Sequence, residues 1–141
     1  MDEKTFDTID REIGVFIRRI VLSEKRNDTL GRSTYILLGL LHEEGPASVK
    51  MLANRLQLDV STVSRQAAGM EKKGFVHKLP NPEDGRSYFY QISERGKKDL
   101  LENRTRRLKR VRKVLEGWTD EESQVFGRLL QKYNKSVQER L

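Results

Sequence analysis

Ser61, Thr62, Ser64 and Arg65 sit together, and further along Asp84 and Arg86 flank a single glycine, Gly85. These residue types suit recognition rather than bond breaking. Short hydroxyls can approach polar edges and anionic oxygens closely. A guanidinium can bond two acceptors at once, as guanine presents them in the major groove of DNA. At the start of a helix, the partial positive charge of unpaired amides adds an attraction for phosphate. An Arg beside a tight turn is held out from the body of the protein. The narrow, electronegative minor groove over A·T-rich DNA admits such a group. A plainer reading stands beside this one, because Ser and Thr are common helix caps, and the segment 61–65 alone does not separate the two. The hairpin that follows directly favours recognition.

The flanking pattern defines the elements that must position these groups. Phe6, Ile9, Ile13, Phe16, Ile17, Ile20 and Val21 recur at helical spacing and predict a helix over 5–24, ended or interrupted by Asn27-Asp28 and Gly31. Ser33 is expected to cap a second helix, TYILLGLLHEE, that stops at Gly45-Pro46. Ser48 fits as the cap of a third, with Val49, Leu52, Ala53 and Leu56 inward. After the break at Leu58-Asp59, Asp59 is placed to cap VSTVSRQAAGMEKKG, which Gly74 closes. Val60, Val63 and Met70 are expected to face the core. That leaves Ser61, Thr62, Ser64 and Arg65 outward.

After Gly74 the period changes from helical to two. FVHKL and SYFYQI are short β-rich runs around NPEDG, and Asp84-Gly85 is a strong turn signal. They predict a hairpin whose Tyr88, Phe89 and Tyr90 anchor a strand. Asp84 would pair with Arg86 or a nearby base and so fix the shape of the tip. Ser93 should cap a long helix over about 94–117, and Thr119 with Glu122 forms a capping box for a last helix carrying Phe126, Leu129, Leu130, Tyr133 and Val137. A short strand near Ala47 is also expected. The fold class is mainly α with a small β-hairpin wing.

Charge points to a polyanionic partner. Residues 1–46 carry 7 basic and 9 acidic groups, residues 47–98 carry 10 and 5, and residues 99–141 carry 11 and 7. The basic excess falls in the middle and C-terminal segments, the first of which holds the hydroxyls and both arginines. With no cysteine, disulfides, Cys-metal sites and thiol redox sensing are excluded. No apolar run approaches the ~18 residues of a membrane span. The acidic MDEKTFDTID lacks the apolar stretch of a signal peptide, which suits a cytoplasmic protein. No nucleophile with its base and no Gly-rich phosphate loop followed by Lys is present, so an enzyme is not expected. No cofactor is implied.

GFVHKLPNPEDGRSYFYQISERG, residues 74–96, resembles the wing of the multiple antibiotic resistance regulator (MarR) family: a Gly ending the recognition helix, an Asp-x-Arg tip, then a Leu-Thr-x-x-Gly opening the next helix. The matching positions are Gly74, Asp84 with Arg86, and Ile92-Ser93 with Gly96. ILLGLLHEEGPASVKMLANRLQLDVSTVSRQAAGMEKKG is also similar to the family's preceding helices. The chain departs from the pattern at Gly85, where a second basic residue is frequent, and at Gln66, where an apolar residue is usual. Gln66 could read adenine, although a solvated side chain is the favoured reading.

The resemblance implies one chain, 1–141, organised as a winged helix-turn-helix lobe over 33–96 and a helical dimerisation region over 1–28 and 97–141. It implies a homodimer that binds double-stranded DNA at a pseudo-palindromic operator and regulates transcription, with repression expected. Ser61, Thr62, Ser64 and Arg65 would contact the major groove. Arg86 would enter the minor groove, oriented by Asp84, and Ser48 and Lys72 are candidates for phosphate. It further implies a small aromatic or amphipathic effector, which Phe16, Tyr35, Trp118 and Phe126 could line, although packing is the commoner use of such aromatics. A low-specificity architectural DNA binder and a winged-helix protein-interaction module are the alternatives. The basic run RTRRLKRVRK, residues 104–113, reads as a solvated helix face more than as a phosphate contact. His42 and His77, isolated from one another in sequence, do not make a metal site.

Overall fold

The structure, a computed structural model, describes residues 1–26 and 30–141. Among these, the elements run α1 (Glu3–Arg26), α2 (Arg32–Glu44), α3 (Val49–Leu56), α4 (Val60–Lys72), β1 (Val76–Pro80), β2 (Tyr88–Ile92), α5 (Glu94–Val114) and α6 (Asp120–Arg140). The chain is mainly α with one antiparallel hairpin, in the order that the apolar periodicity predicts. It divides into two compact units, residues 1–103 and 104–141. Asn27 and Asp28, expected to end the first helix, lie outside the described residues.

The core of the first unit gathers one face from each element after α1. Leu37, Leu38 and Leu41 of α2, Leu52 and Ala53 of α3, and Val63, Ala67 and Met70 of α4 are buried with Phe75, Val76, Tyr90, Ile92 and Leu100. Full burial of a Leu or Val side chain contributes about 1.5–3 kcal/mol, so this cluster dominates the lobe. Val49 and Leu56 pack partly against it, as the α3 pattern predicts. β1 and β2 pair from Val76↔Ile92 to Pro80↔Tyr88. Ala47 adds an antiparallel bridge to Tyr90, with Ala47 N–H donating to the Tyr90 carbonyl at 3.1 Å and the reverse bond at 2.8 Å. The wing root is therefore sewn to the segment before α3. Tyr90 is the buried anchor, while Tyr88 on the same strand face is exposed because the core ends beneath it.

Several helix ends follow the sequence. The Ser48 Oγ accepts from Met51 N–H at 3.1 Å. Thr119 and Glu122 form the reciprocal capping box at 3.1 and 2.9 Å. Other ends differ. Gly31, not Ser33, is the N-cap of α2, since its extended backbone lets its carbonyl accept from Tyr35 N–H at 3.0 Å. Asp59 stands at the N-cap of α4 but makes no side-chain cap bond. α5 stops at Val114, short of 117, in a turn where Gly117 takes φ 86°.

The end of α4 is closed by a Schellman arrangement. Phe75 N–H donates to the Met70 carbonyl at 2.9 Å and Gly74 N–H to that of Glu71 at 3.0 Å, with Gly74 at φ 81°. The Phe75 carbonyl then accepts from Ser93 N–H at 2.9 Å. The Ser93 Oγ donates to the Gly74 carbonyl at 2.6 Å and accepts from Gly96 N–H at 3.0 Å. One serine thus caps α5 and fastens it to the end of α4.

Gly96 makes this junction possible. A Cβ there would fall on the Phe75 carbonyl oxygen and 2.8 Å from Ile92 Cγ1, whereas one at Gly69 in α4 would meet nothing within 4 Å. In an open helix Gly→Ala gains roughly 0.5–1 kcal/mol. Overpacking at a site that cannot yield costs about 1–3 kcal/mol. At Gly96 the contact is with backbone, so the steric cost wins. Urea denaturation at fixed protein concentration should show Gly96→Ala less stable than the parent by about 1–3 kcal/mol and Gly69→Ala more stable by roughly 0.5–1 kcal/mol.

Candidate nucleic-acid interface

α3, a tight turn and α4 form a helix-turn-helix. The turn depends on Gln57, which adopts a left-handed conformation at φ 54°, ψ 47°. Leu58 N–H donates to the Ala53 carbonyl at 3.0 Å across it. On α4 the inward positions are Val63, Ala67 and Met70. Ser61, Ser64 and Arg65 are exposed, as are Ala68, Gly69 and Lys72 beyond them. Thr62 is half-buried and therefore only partly available. The outer face is made of small residues and two cations, a shape that lets a helix backbone approach a groove closely.

Two expectations for α4 need correction. Val60 is 54% exposed and does not reach the core. It lies at the first helical position, beyond the layer that Val63 begins. Gln66 is not simply solvated: its Oε1 is buried and has no hydrogen-bond partner.

The hairpin tip, residues 81–87, is built from short-range bonds. The Asp84 Oδ1 accepts from Arg86 N–H at 3.0 Å. The Asn81 Oδ1 accepts from Glu83 N–H at 3.0 Å, and its Nδ2 donates to Ser87 Oγ at 2.9 Å. Ser87 N–H closes onto the Asp84 carbonyl at 3.2 Å. Asp84 thus holds the main chain of Arg86, and the structure shows this backbone bond where the sequence suggested a side-chain pair. Arg86 itself is exposed. Behind the tip, Lys78 Nζ lies 5.0 Å from the Tyr88 ring centroid and 3.6 Å from Glu71 Oε1, tying the wing to the last turn of α4. Sequence reasoning did not single out Lys78 or Glu71, and read Asn81 only as extended before Pro82. The Asn-Pro pair was a signal for Asn81, since Asn side chains commonly bond their own turn backbone.

The remaining candidates are placed differently. Ser48 is half-buried, with its Oγ accepting the cap bond of α3. In the first unit, Tyr35 packs against the core and Phe16 is 49% exposed on α1. In the second unit, Trp118 and Phe126 pack at a tilt, with centroids 5.5 Å apart. A hollow on α1 is lined by Val15, Arg18, Arg19 and Leu22 and includes none of these four. The His77 Nε2 is 2.8 Å from Gln91 Oε1, a cross-strand pair in the wing. Among the described residues no group of three or more His, Asp or Glu side chains is placed to hold a metal ion, and no helix is long and apolar enough to cross a membrane.

Comparison with known proteins agrees with this geometry. The sequence model of the MarR family matches residues 30–88. The HTH-type transcriptional regulator YxaD of Bacillus subtilis, itself uncharacterised, is 42% identical over 138 residues, covering 96% of each chain. A MarR family protein from Bacillus stearothermophilus superposes with a TM-score of 0.80 at 24% identity, over 98% of this chain and 99% of that one. Streptococcus pneumoniae FabT, whose structure is a complex with DNA, has the same fold, with a TM-score of 0.78 at 15% identity over 95% of this chain and 98% of its own. The helix-turn-helix, the wing and a relative aligned over nearly the whole length together show that the chain belongs to the MarR family of winged helix-turn-helix transcriptional regulators.

Proposed function

We propose that this regulator is a repressor that binds a pseudo-palindromic operator as a homodimer. The observation that carries the reading is the pairing of an open α4 face, with Ser61, Ser64 and Arg65 exposed, with a wing tip that holds Arg86 out on a bonded turn. α4 would lie in the major groove, with Ser61, Thr62, Ser64 and Arg65 towards base edges. Arg86 would enter the flanking minor groove, with Asp84 fixing its main chain. Ser48 and Lys72 would meet phosphate. FabT, bound to DNA in its structure, supports this use of the fold.

Uncovered apolar surface supports the dimer. On α1, Phe6, Ile9, Phe16, Ile17 and Val21 are each at least 45% exposed. α6 buries no residue, and Leu129 and Tyr133 are 46% and 48% exposed. Patches of this kind mark interaction surfaces, and a second copy would cover them. Two-fold symmetry then sets half-sites about one helical turn apart. A small aromatic or amphipathic effector would release the operator by favouring another lobe spacing. The regulator would act in the cytoplasm.

Selection from a random duplex library at near-physiological salt tests the reading. An enriched inverted repeat is expected. Retention without enrichment would instead make the chain an architectural binder, and no retention would make it a protein-interaction module.

On the selected operator, Arg86→Ala should weaken binding by roughly 1–3 kcal/mol at matched salt. An unchanged affinity would remove Arg86 from the interface. Asp84→Ala should act on the free protein first. Loss of a net bond of about 0.5–1.5 kcal/mol should speed amide exchange at Arg86 roughly three- to tenfold while the melting curve stays within about 1 kcal/mol of the parent. Operator binding should also fall, and far less so once Arg86 is already Ala, because Asp84 acts through Arg86.

A further inference from the structure

Val60 departs from its sequence pattern in a direction that has a chemical meaning. Its spacing with Val63 and Met70 marks it for the core, yet those two are 0% and 2% exposed while Val60 is 54% exposed. It is the first residue of α4. Side chains on a helix tilt towards its N-terminus, so on the operator-binding reading Val60 would lead Ser61 and Ser64 into the groove. Asp59 precedes it, and its carboxylate makes no bond to the amides of α4. A carboxylate and a phosphate repel one another. This end of α4 therefore suits base edges, where hydrogen-bond donors occur, better than the DNA backbone.

An isopropyl group at that place has no hydrogen bond to make. Among the groups that base pairs display in the major groove, its natural counterpart is the C5 methyl of thymine. The side chain is also stiff at χ1, so little rotamer freedom is lost on contact. We propose that Val60 is a specificity residue that reads thymine through its C5 methyl at one position of each half-site. This rests on the operator-binding reading above and assigns it a residue that the polar candidates do not include.

The test is a coupling cycle on full-length protein. Each thymine of the selected operator is replaced by deoxyuridine, symmetrically in both half-sites, and Kd is measured at fixed salt for the parent, Val60→Ala and Arg65→Ala. At one symmetric pair of positions, uracil should weaken the parent about sixteenfold. That is about fourfold per half-site, the effect of burying one methyl-sized group. Val60→Ala should bind the thymine and uracil operators alike. Arg65→Ala should still lose the same factor on uracil substitution, which separates a methyl reader from a general weakening. Because Val60 is exposed, Val60→Ala should melt with the parent. If uracil weakens the parent and Val60→Ala equally at every position, or weakens neither, the assignment is overturned while operator binding stands. If no operator is enriched at all, both readings fall together.

Discussion

The lobe depends on the close approach of two backbones at the root of the wing. The Gly74-Phe75 segment leaving α4 and the Ser93–Gly96 segment entering α5 meet where Ser93 N–H donates to the Phe75 carbonyl and Ser93 Oγ donates to the Gly74 carbonyl. The amides of Ser93 and Gly96, which the start of α5 would otherwise leave unpaired, are satisfied there. The same contact sets the angle at which α4 leaves the core and the origin from which the hairpin grows. Neither the α4 face nor the tip has an independent position. Both are referred to this junction, and the Ala47–Tyr90 bridge ties it to the entrance of α3. A glycine at position 96 is the condition for the arrangement, because the neighbour a side chain would strike is main chain.

From that junction outward the stabilising contacts thin. Buried aliphatics hold α2, α3 and α4, while the wing is held by its ladder, by Val76, Tyr90 and Ile92 at its root and by the Lys78–Glu71 pair, which adds about 0–1 kcal/mol at most. The tip beyond has no core at all and keeps its shape through Asn81, Asp84 and Ser87. Ordering an interface side chain on binding costs about 0.5–1.5 kcal/mol. A turn already fixed by its own bonds leaves only the Arg86 side chain to be ordered.

Much of this was legible in the sequence, for identifiable reasons. Apolar periodicity marked the helices, because burial in α2–α4 follows the 3.6-residue repeat. Gly74 and the Thr119–Glu122 box were legible because each uses a local rule involving few residues. Gln57 was not legible, since nothing in its type demands a left-handed backbone; the turn between α3 and α4 imposes it. Gly31 took the cap expected of Ser33 because a helix start is set by backbone geometry that several residue types can supply. Val60 misled because periodicity gives the direction of a side chain but not whether the core extends beneath it. The candidate site was legible as a set of exposed polar residues, while the bonds that hold its tip were not, since a carboxylate can choose main chain or side chain without changing the sequence pattern.

The division of labour along α4 bears on how such a regulator can change its target. Val63, Ala67 and Met70 hold the helix, whereas Ser61, Ser64, Arg65, Ala68 and Lys72 are exposed. Substitutions on the second set can alter recognition with little effect on the fold, since exposed positions usually change stability by no more than about 0.5 kcal/mol. Thr62 and Gln66 lie on the border and are half-buried. The Gln66 Oε1 is buried without a partner, a condition that commonly costs about 1–3 kcal/mol. An apolar residue would remove that cost, so the amide is poorly explained by packing alone. At these two positions recognition and stability are coupled, and changes of specificity should be constrained there more than on the open face.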